Sequence, residues 1–271
     1  MQSSDGQSLE QALTKTETDA EVTLKAADAV VRSLRRFRAA ARVGNFRELR
    51  SSMEAVEKGM AALRQQFANA KEGWTFDEES YFARGLYSQE IISAGKQAGV
   101  SIFERDDRLY CYPVLIRISS SDKAVFVDKK RENRIRPSVL VTRLKELQRK
   151  PPLFRPEAFL ESLYRAYSKA VAMRGKELLQ MAPVIPLVDI YELLTLLPGQ
   201  AKEYTKQEFV RDIYLLHRSG VAITRSGAKV AFPYTGRAPS KTLTIIDQAG
   251  EVKRYYGIMF TQTSKGSQSC Q

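Results

Sequence analysis

The chain of 271 residues contains very little histidine and cysteine. His217 is the single histidine, so multi-histidine metal sites and most Ser/His or Cys/His catalytic schemes lack the side chains that they need. The two cysteines, Cys111 and Cys270, are too few for a disulfide framework. We therefore expect a reducing, cytoplasmic compartment.

Long apolar runs and phosphate-binding loops are also absent from the sequence. No run of 18 or more apolar residues occurs, and the N-terminus lacks a basic segment followed by an apolar stretch. Neither G-x-x-x-x-G-K-[ST] nor G-x-G-x-x-G is present, which disfavours ATPase and dinucleotide chemistry. We expect no membrane partner, no bound metal and no cofactor.

The sequence from 9 to 71 has the periodicity of two helices. An apolar stripe steps by three and four residues through Phe46, Leu49, Met53, Val56, Met60, Leu63 and Phe67. A second stripe precedes it, through Ala27, Val30, Leu34, Phe37 and Ala41, with Gly44-Asn45 between the two. This pattern predicts an antiparallel, coiled-coil-like hairpin whose arms pack through their stripes, as a core-forming helix pair or as an extended coiled coil. The segment 27–67 is a candidate surface for self-association or for a protein partner.

The remaining chain predicts an α+β fold that is mainly helical. Residues 72–150 are expected to form a helix over 77–98, a β-meander with strands at 100–103, 108–118 and 124–127, and a helix from Pro137 to Lys150. Pro151-Pro152 predicts a boundary, followed by a connecting helix within 151–182. Residues 183–260 are expected to form a C-terminal domain, and 261–271 a flexible tail.

The C-terminal domain contains a distinctive order of elements. An apolar helix is expected over 185–197, and Thr205 with Glu208 forms a T-x-x-E capping box that opens a helix ending near Gly220. Strands are expected at 221–225, 229–234, 243–247 and 252–260. This order resembles a winged helix-turn-helix module over 185–260. The resemblance implies that the capped helix enters a DNA groove through Lys206, Gln207 and Arg211, and that the hairpin contributes Arg225 and Lys229.

The positive charge is concentrated outside that domain. Two short segments have a net charge of +6 each, and together they equal the net charge of +12 of the whole chain. Residues 32–50 contain seven arginines and one acid, and residues 128–150 contain nine basic residues and three acids. Such concentration favours a surface that binds a polyanion over general solubility.

Both segments supply candidate phosphate contacts. In the first, Arg32, Arg35, Arg36 and Arg42 share a broad face away from the apolar stripe. In the second, five basic residues fall within eight positions: Lys129, Lys130, Arg131, Arg134 and Arg136. The alternative for each segment is a solvated surface, or one paired with acids of a partner protein.

A nuclease is the one enzymatic alternative that the sequence offers. Asp128-x-Lys130 follows an apolar strand, and Asp107 lies about twenty residues upstream in a hairpin turn. This arrangement superficially resembles the D…(D/E)-x-K core, in which two carboxylates hold Mg²⁺ and a lysine orients water. If the protein is a nuclease, Asp107, Asp128 and Lys130 are its candidate catalytic residues.

The sequence thus favours a non-enzymatic protein that binds nucleic acid, DNA rather than RNA. It is a candidate accessory subunit of a bacterial DNA-maintenance or anti-phage complex. A protein–protein scaffold without direct DNA contact and the metal-dependent nuclease are the alternatives.

Overall fold

The computed structural model describes residues 7–105, 108–150, 153–175, 182–233 and 242–262. The helices of this part of the chain are α1 (Leu9–Val43), α2 (Phe46–Glu72), α3 (Glu78–Ala83), α4 (Leu86–Ala98), α5 (Pro137–Arg149), α6 (Pro156–Met173), α7 (Leu187–Leu194), α8 (Gln200–Glu203) and α9 (Lys206–Ser219). Its strands are β1 (Phe103–Arg105), β2 (Arg108–Cys111), β3 (Val114–Ser119), β4 (Ala124–Val127), β5 (Lys130–Glu132), β6 (Ile185–Pro186), β7 (Ala228–Ala231), β8 (Leu243–Ile246), β9 (Val252–Tyr255) and β10 (Gly257–Gln262). The predicted α+β class, mainly helical, is confirmed.

The chain divides into two compact units that interleave along the sequence. The first unit is Met1–Val100 with Arg117–Lys145, and the second is Ser101–Ile116 with Glu146–Gln271. The sequence predicts consecutive domains with a boundary after residue 150, whereas the division falls within β3 and within α5. Helix α6, expected as a connection, contributes buried side chains to the core of the second unit.

Helices α1 and α2 form the predicted hairpin. The Ser8 hydroxyl accepts a hydrogen bond from the Gln11 amide at the start of α1. Gly44 ends α1 with φ of 72°, in the left-handed region that glycine adopts without a Cβ penalty. Asn45 then caps α2, because its side chain accepts from the Glu48 amide. The turn is therefore encoded by two adjacent residues.

Only part of the predicted apolar stripe lies at the contact between the arms. Ser52 is buried, and a Cβ on Gly59 would lie 3.0 Å from Cγ2 of Val30, so small side chains allow a close approach there. Leu49, Val56 and Leu63 are half-buried. The other four members of the α2 stripe are exposed, namely Phe46, Met53, Met60 and Phe67. The expectation that the whole stripe packs against α1 is wrong.

The rest of the first unit packs around aromatic and aliphatic side chains. The prediction of one helix over 77–98 is wrong, because the chain breaks at Gly85, which has φ of 70° and separates α3 from α4. Tyr87 and Ile91 of α4 are fully buried, as is Leu144 of α5. The end of β3, β4 and β5 complete this unit, and β4 pairs antiparallel with β5.

In the second unit, β1, β2 and the first residues of β3 form an antiparallel meander. Phe103 pairs with Tyr110, and Cys111 pairs with Val114. The expected single strand over 108–118 is wrong, because it is interrupted by a turn at Tyr112-Pro113. Proline has no amide hydrogen to donate to a ladder and terminates the strand there.

The larger part of the second unit consists of helices packed on short sheets. Its core includes Leu163 and Tyr167 of α6, Ile190 of α7 and Phe209 of α9. The strand order is β6–β10–β7 in one sheet, and β8 pairs with β9 in another. Within the segment expected to be a helix over 185–197, residues 185–186 form β6 and the helix ends at Leu194.

The details around α9 confirm one local prediction and correct two others. The Thr205–Glu208 capping box is present, and Gly220 follows the helix with φ of 73°. The strand expected at 221–225 is reduced to an isolated bridge between Ile223 and Lys229. The segment 252–260 forms two strands, since Tyr256 separates β9 from β10. Of the tail expected at 261–271, residues 263–271 lie outside the described residues.

Candidate nucleic-acid interface

The first candidate surface is the arginine segment, defined as residues 32–50 at the turn of the helical hairpin. Its seven arginines are all exposed: Arg32, Arg35, Arg36, Arg38, Arg42, Arg47 and Arg50. Among the residues that the structure describes, none of the seven forms an ion pair or a side-chain hydrogen bond. The only acid in the segment, Glu48, lies in the first turn of α2. The hairpin therefore presents a compact cluster of unpaired guanidinium groups.

Helical geometry distributes these groups over the outer surface of the hairpin. Arg32 and Arg36 are four residues apart and lie on one face of α1. Arg35, Arg38 and Arg42 step by three and four residues and lie on a neighbouring face. Ten residues of helix rise about 15 Å, so the five arginines of α1 span several successive phosphates of a nucleic-acid strand.

The second candidate surface is the basic corner, defined as residues 128–136 around the turn between β4 and β5. Lys130 and Arg131 are exposed on β5, and Lys129 is exposed in the turn. Arg134 differs, because its Nε donates to Oε1 of Glu132 at 3.0 Å. Glu132 is buried, and Arg143 also contacts it at 2.7 Å. The hydrogen bond from the Arg134 side chain lowers the pKa of Glu132 to about 2, with Arg143 adding to the effect.

Arg136 is the most heavily engaged cation of the basic corner. Its Nε lies 2.7 Å from Oε1 of Glu10, and its Nη1 lies 2.5 Å from Oε2 of Glu17. Its Nη2 donates to the hydroxyl of Thr14 at 2.9 Å. The three partners lie on one face of α1, since they are spaced by four and three residues. Arg136 thus fastens the base of the hairpin to the start of α5.

Glu10 holds this junction from the other side. Its carboxylate accepts hydrogen bonds from the amide and the hydroxyl of Ser138, each at 2.9 Å. Burial alone would raise the pKa of Glu10, but the hydrogen bonds from Ser138 and Arg136 outweigh it and lower the pKa. Two of the five corner cations proposed from sequence, Arg134 and Arg136, therefore form ion pairs within the first unit.

In the second unit, α9 holds three of the candidate DNA contacts. Lys206 is exposed, with its Nζ 5.9 Å from the centre of the Tyr191 ring. Gln207 is half-buried. Arg211 has a side chain that is only 17% exposed, and its Nε contacts Oδ1 of Asp212 at 3.1 Å. The structure thus leaves Lys206 as the accessible cation of the three.

Asp212 has a buried environment of its own. Tyr204 donates a hydrogen bond to its Oδ2 at 2.8 Å. Burial raises the pKa of Asp212, although the positive charge of Arg211 acts in the opposite direction. Arg211 therefore compensates a buried carboxyl group.

The two candidates on the predicted hairpin are both exposed. Arg225 lies before Ser226-Gly227, and its amide donates to Oε1 of Glu161 at 2.7 Å. Lys229 lies in β7 opposite Thr261 of β10. The structure leaves both side chains facing away from the core.

The residues proposed for a nuclease do not form a described site. Asp107 lies outside the described residues. Asp128 is exposed in the turn after β4 with φ of 48°, and Lys130 is exposed two residues later. Within the described ranges no group of three or more His, Cys, Asp or Glu side chains is placed to hold a metal ion. Burial raises the pKa of the Cys111 thiol to about 12, which disfavours thiolate chemistry at that position.

Two features of these surfaces were not predicted. Glu10 and Glu17 are more than a hundred residues from Arg136, and no local pattern connects them. The pairing of Glu132 with Arg134 has a sequence signal, since the acid lies only two residues before the arginine. Sequence counting treats every cation alike, so it cannot separate paired from unpaired groups.

Comparisons with known proteins add no relative to this description. No family model, no curated protein and no solved structure matches the chain. Among the described helices, none combines the length and the apolar character needed to cross a bilayer. The functional argument therefore depends on the geometry of the chain itself.

Proposed function

We propose that this protein is a non-enzymatic nucleic-acid-binding protein that holds duplex DNA mainly through the arginine segment. The observation that carries the proposal is the set of seven exposed guanidinium groups that have no partner among the described residues. An unpaired arginine can neutralise a phosphate and release a counterion without first breaking an internal ion pair. The helices that carry the arginines are capped, so the cations are presented on a regular scaffold.

The second unit supports DNA over RNA as the ligand. From α6 onward its order is helix α6, strand β6, helices α7 to α9 and strands β7 to β10, with β6–β10–β7 in one sheet and β8 paired with β9 in another. This order agrees with a winged-helix-like unit, which reads duplex DNA with a helix and a hairpin. Of the contacts proposed for it from sequence, Lys206, Arg225 and Lys229 are exposed. They would add contacts to those of the arginine segment, and Lys130 and Arg131 of the basic corner would add weaker ones.

Fluorescence anisotropy with a labelled DNA duplex at low salt tests the proposal. We expect binding by the full chain that weakens steeply as salt is added. The informative variant carries Arg32→Gln, Arg35→Gln and Arg36→Gln, because glutamine keeps a similar helix propensity and removes the charge. Loss of three phosphate contacts should reduce the affinity by at least about 100-fold at low salt.

A matched control removes the same charge from the same hairpin. Lys15, Lys25 and Lys58 are exposed and lie outside the arginine segment. A variant with all three changed to glutamine has the same net charge as the arginine variant. Equal losses in the two variants, or no binding by the unaltered chain at low salt, would refute the proposal.

A protein–protein scaffold is the second candidate, and α9 favours it. On that helix Arg211 is paired with Asp212, and Gln207 is half-buried. A helix with few free cations suits docking to a protein better than reading a phosphate backbone. A role as accessory subunit of a DNA-maintenance or anti-phage assembly in the cytoplasm stays a prediction, which co-purification with the products of neighbouring genes would test.

A further inference from the structure

One side of the helical hairpin exposes a row of large apolar side chains. On α2 the row consists of Phe46, Met53, Met60 and Phe67, which are 43–73% exposed and follow one another every seven residues. A heptad spacing keeps side chains in line along a helix. Such a continuous apolar row on a surface calls for a covering partner.

The apolar residues of α1 extend the same side of the hairpin. Ser52 and Gly59 mark the line of contact on α2, and Val30 marks it on α1. Met53 and Met60 each follow a contact residue of α2 by one position, and Val31 follows the contact residue of α1 by one position. One position corresponds to a rotation of about 100° around the helix axis. Because the two helices are antiparallel, the same rotation on each leads to the same side of the hairpin. Val31, with Leu34 and Leu24, therefore adds to the row, and all three are exposed.

The exposed apolar face, defined by these seven residues of α1 and α2, is separated from Arg32 and Arg36, whereas the other arginines of α1 lie on the same side of the helix as Val31 and Leu34. Arg32 and Arg36 lie two residues on either side of Leu34. Two residues correspond to a turn of about 200°, so these arginines lie on the opposite side of α1. A partner on the apolar face would leave them accessible.

The order of residues along α2 indicates which partner fits. The stripe has the same order of residue types in both directions, with Val56 at its centre: Phe46, Leu49, Met53, Val56, Met60, Leu63 and Phe67. A two-fold axis near Val56 that relates two antiparallel copies of α2 would place Phe46 beside Phe67 of the second copy. It would likewise place Met53 beside Met60. Self-complementarity of this kind is what a two-fold interface requires.

Charge selects the antiparallel arrangement of the two hairpins. If the turns lay side by side, two arginine segments with a net charge of +6 each would meet. In the antiparallel arrangement, the arginine segment of one copy lies beside the opposite half of α1 in the other. That half includes the acids Asp19, Glu21 and Asp28 against one lysine, Lys25, over residues 18–28.

The size of the face is close to what a stable dimer needs. Seven side chains of this size, each about half exposed, present roughly 700 Å², against about 800 Å² per partner in a standard interface. Two hairpins stacked on this face give a four-helix arrangement, in which each helix gains the second neighbour that a bundle core requires.

We propose that the exposed apolar face is covered by a second copy of this chain, in an antiparallel dimer with a two-fold axis near Val56. The inference does not depend on DNA binding, since it uses the side of the hairpin away from Arg32 and Arg36. The dimer carries its two arginine segments toward opposite ends.

Sedimentation equilibrium of the full chain over a range of concentrations tests the oligomeric state. We expect a dimer that a variant with Met53→Glu and Met60→Glu converts to a monomer, because four carboxylates would be buried near the axis. Its circular dichroism and thermal unfolding should remain those of a folded chain. The control is Ala62→Glu, which lies two residues after Met60 on the opposite side of α2 and should remain dimeric.

Cross-linking tests the antiparallel direction. The background carries Cys270→Ser. The single variants Phe46→Cys and Phe67→Cys are each oxidised alone, and in a third sample the two reduced variants are mixed first and then oxidised. We expect a disulfide-linked dimer from the mixture only, because the two copies of position 46 would lie about 30 Å apart. The buried native Cys111 stays out of reach.

Three results would overturn the proposal. They are a chain that stays monomeric at every concentration, a dimer unaffected by the charges at 53 and 60, and efficient cross-linking of Phe46→Cys alone. A monomer would leave the exposed apolar face to a different protein. Duplex binding measured on the same variants is a separate readout, so failure of the dimer and failure of DNA binding are distinguishable.

Discussion

The arginine segment and the basic region 128–150 have the same net charge but different surroundings. Each has a net charge of +6 in the sequence. In the arginine segment all seven guanidinium groups are exposed and have no partner among the described residues. In 128–150, Arg134 and Arg143 contact Glu132, and Arg136 contacts Glu10 and Glu17. One cluster is available to a ligand, whereas three cations of the other are used in ion pairs within the first unit.

The difference follows from where each cluster lies in the fold. The arginine segment is at the turn of a long hairpin, where the described neighbours of α1 are residues of α2 and Glu48 is the only acid within the segment. The basic corner precedes α5, whose start meets the acidic first turns of α1. Local charge density is therefore a weaker guide to ligand binding than the position of the acids that the fold brings near.

The same substitution in the two clusters should change the free energy of unfolding by very different amounts. Arg136→Ala removes two ion pairs and a hydrogen bond, and leaves the partly buried Glu10 without its cation. We expect it to lower the free energy of unfolding by about 2–3 kcal/mol. Arg36→Ala should change it by less than about 0.5 kcal/mol, because the side chain is exposed and unpaired. Urea denaturation followed by circular dichroism measures both.

Arg136→Lys refines this comparison. Lysine keeps the charge but cannot reach two carboxylates and a hydroxyl with one planar fork, so we expect an intermediate loss. If Arg136→Ala were as stable as Arg36→Ala, the basic corner would be as free as the arginine segment and the contrast between them would be lost.

Much of the fold could be predicted because its signals are local. The hairpin turn at Gly44-Asn45 and the capping box at Thr205 each need only a few adjacent residues. The break at Gly85 was missed, because an isolated glycine inside a helical pattern is often tolerated. The exposure of Phe46 and its heptad partners was also missed, since periodicity gives the apolar side of a helix but not whether it is covered.

The candidate site could be predicted only as a list of cations. The sequence located both clusters, but the partners of Arg136 are brought near by tertiary structure. Arg211 looked accessible from its place in the first turns of α9, yet the neighbouring Asp212 engages it. Which arginines are free is a property of three-dimensional proximity, and composition does not contain it.

Acid titration should expose the structural role of Glu132. Its pKa in the folded state is lowered to about 2, below the usual value of 4.5, mainly by the hydrogen bond from Arg134. A carboxylate of this kind contributes stability above the unfolded pKa and loses it as the pH falls from about 4.5 to about 2. Glu132→Gln should therefore cost about 1–2 kcal/mol at neutral pH and progressively less below pH 4.5.

The matched control for this titration is Glu48→Gln in the arginine segment. Glu48 is exposed and has no ion pair among the described residues, so its substitution should leave the stability–pH curve unchanged. A parallel offset between the Glu132→Gln and unaltered curves down to pH 2 would contradict the assignment of an ionised, paired Glu132.

The salt dependence of DNA binding gives the finest comparison of the two clusters, because it counts phosphate contacts. Each contact contributes about 0.9 to the slope of log affinity against log salt concentration. Arg32→Gln with Arg36→Gln should reduce the slope by about 2, whereas Lys130→Gln with Arg131→Gln should reduce it by less than 1. Both pairs consist of exposed cations, and both variants lose two charges, so bulk charge cannot explain a difference. Equal slopes for the two variants would mean that Lys130 and Arg131 contact phosphate as directly as Arg32 and Arg36 do. The internal ion pairs of Arg134 and Arg136 would then not reduce phosphate binding by the basic corner.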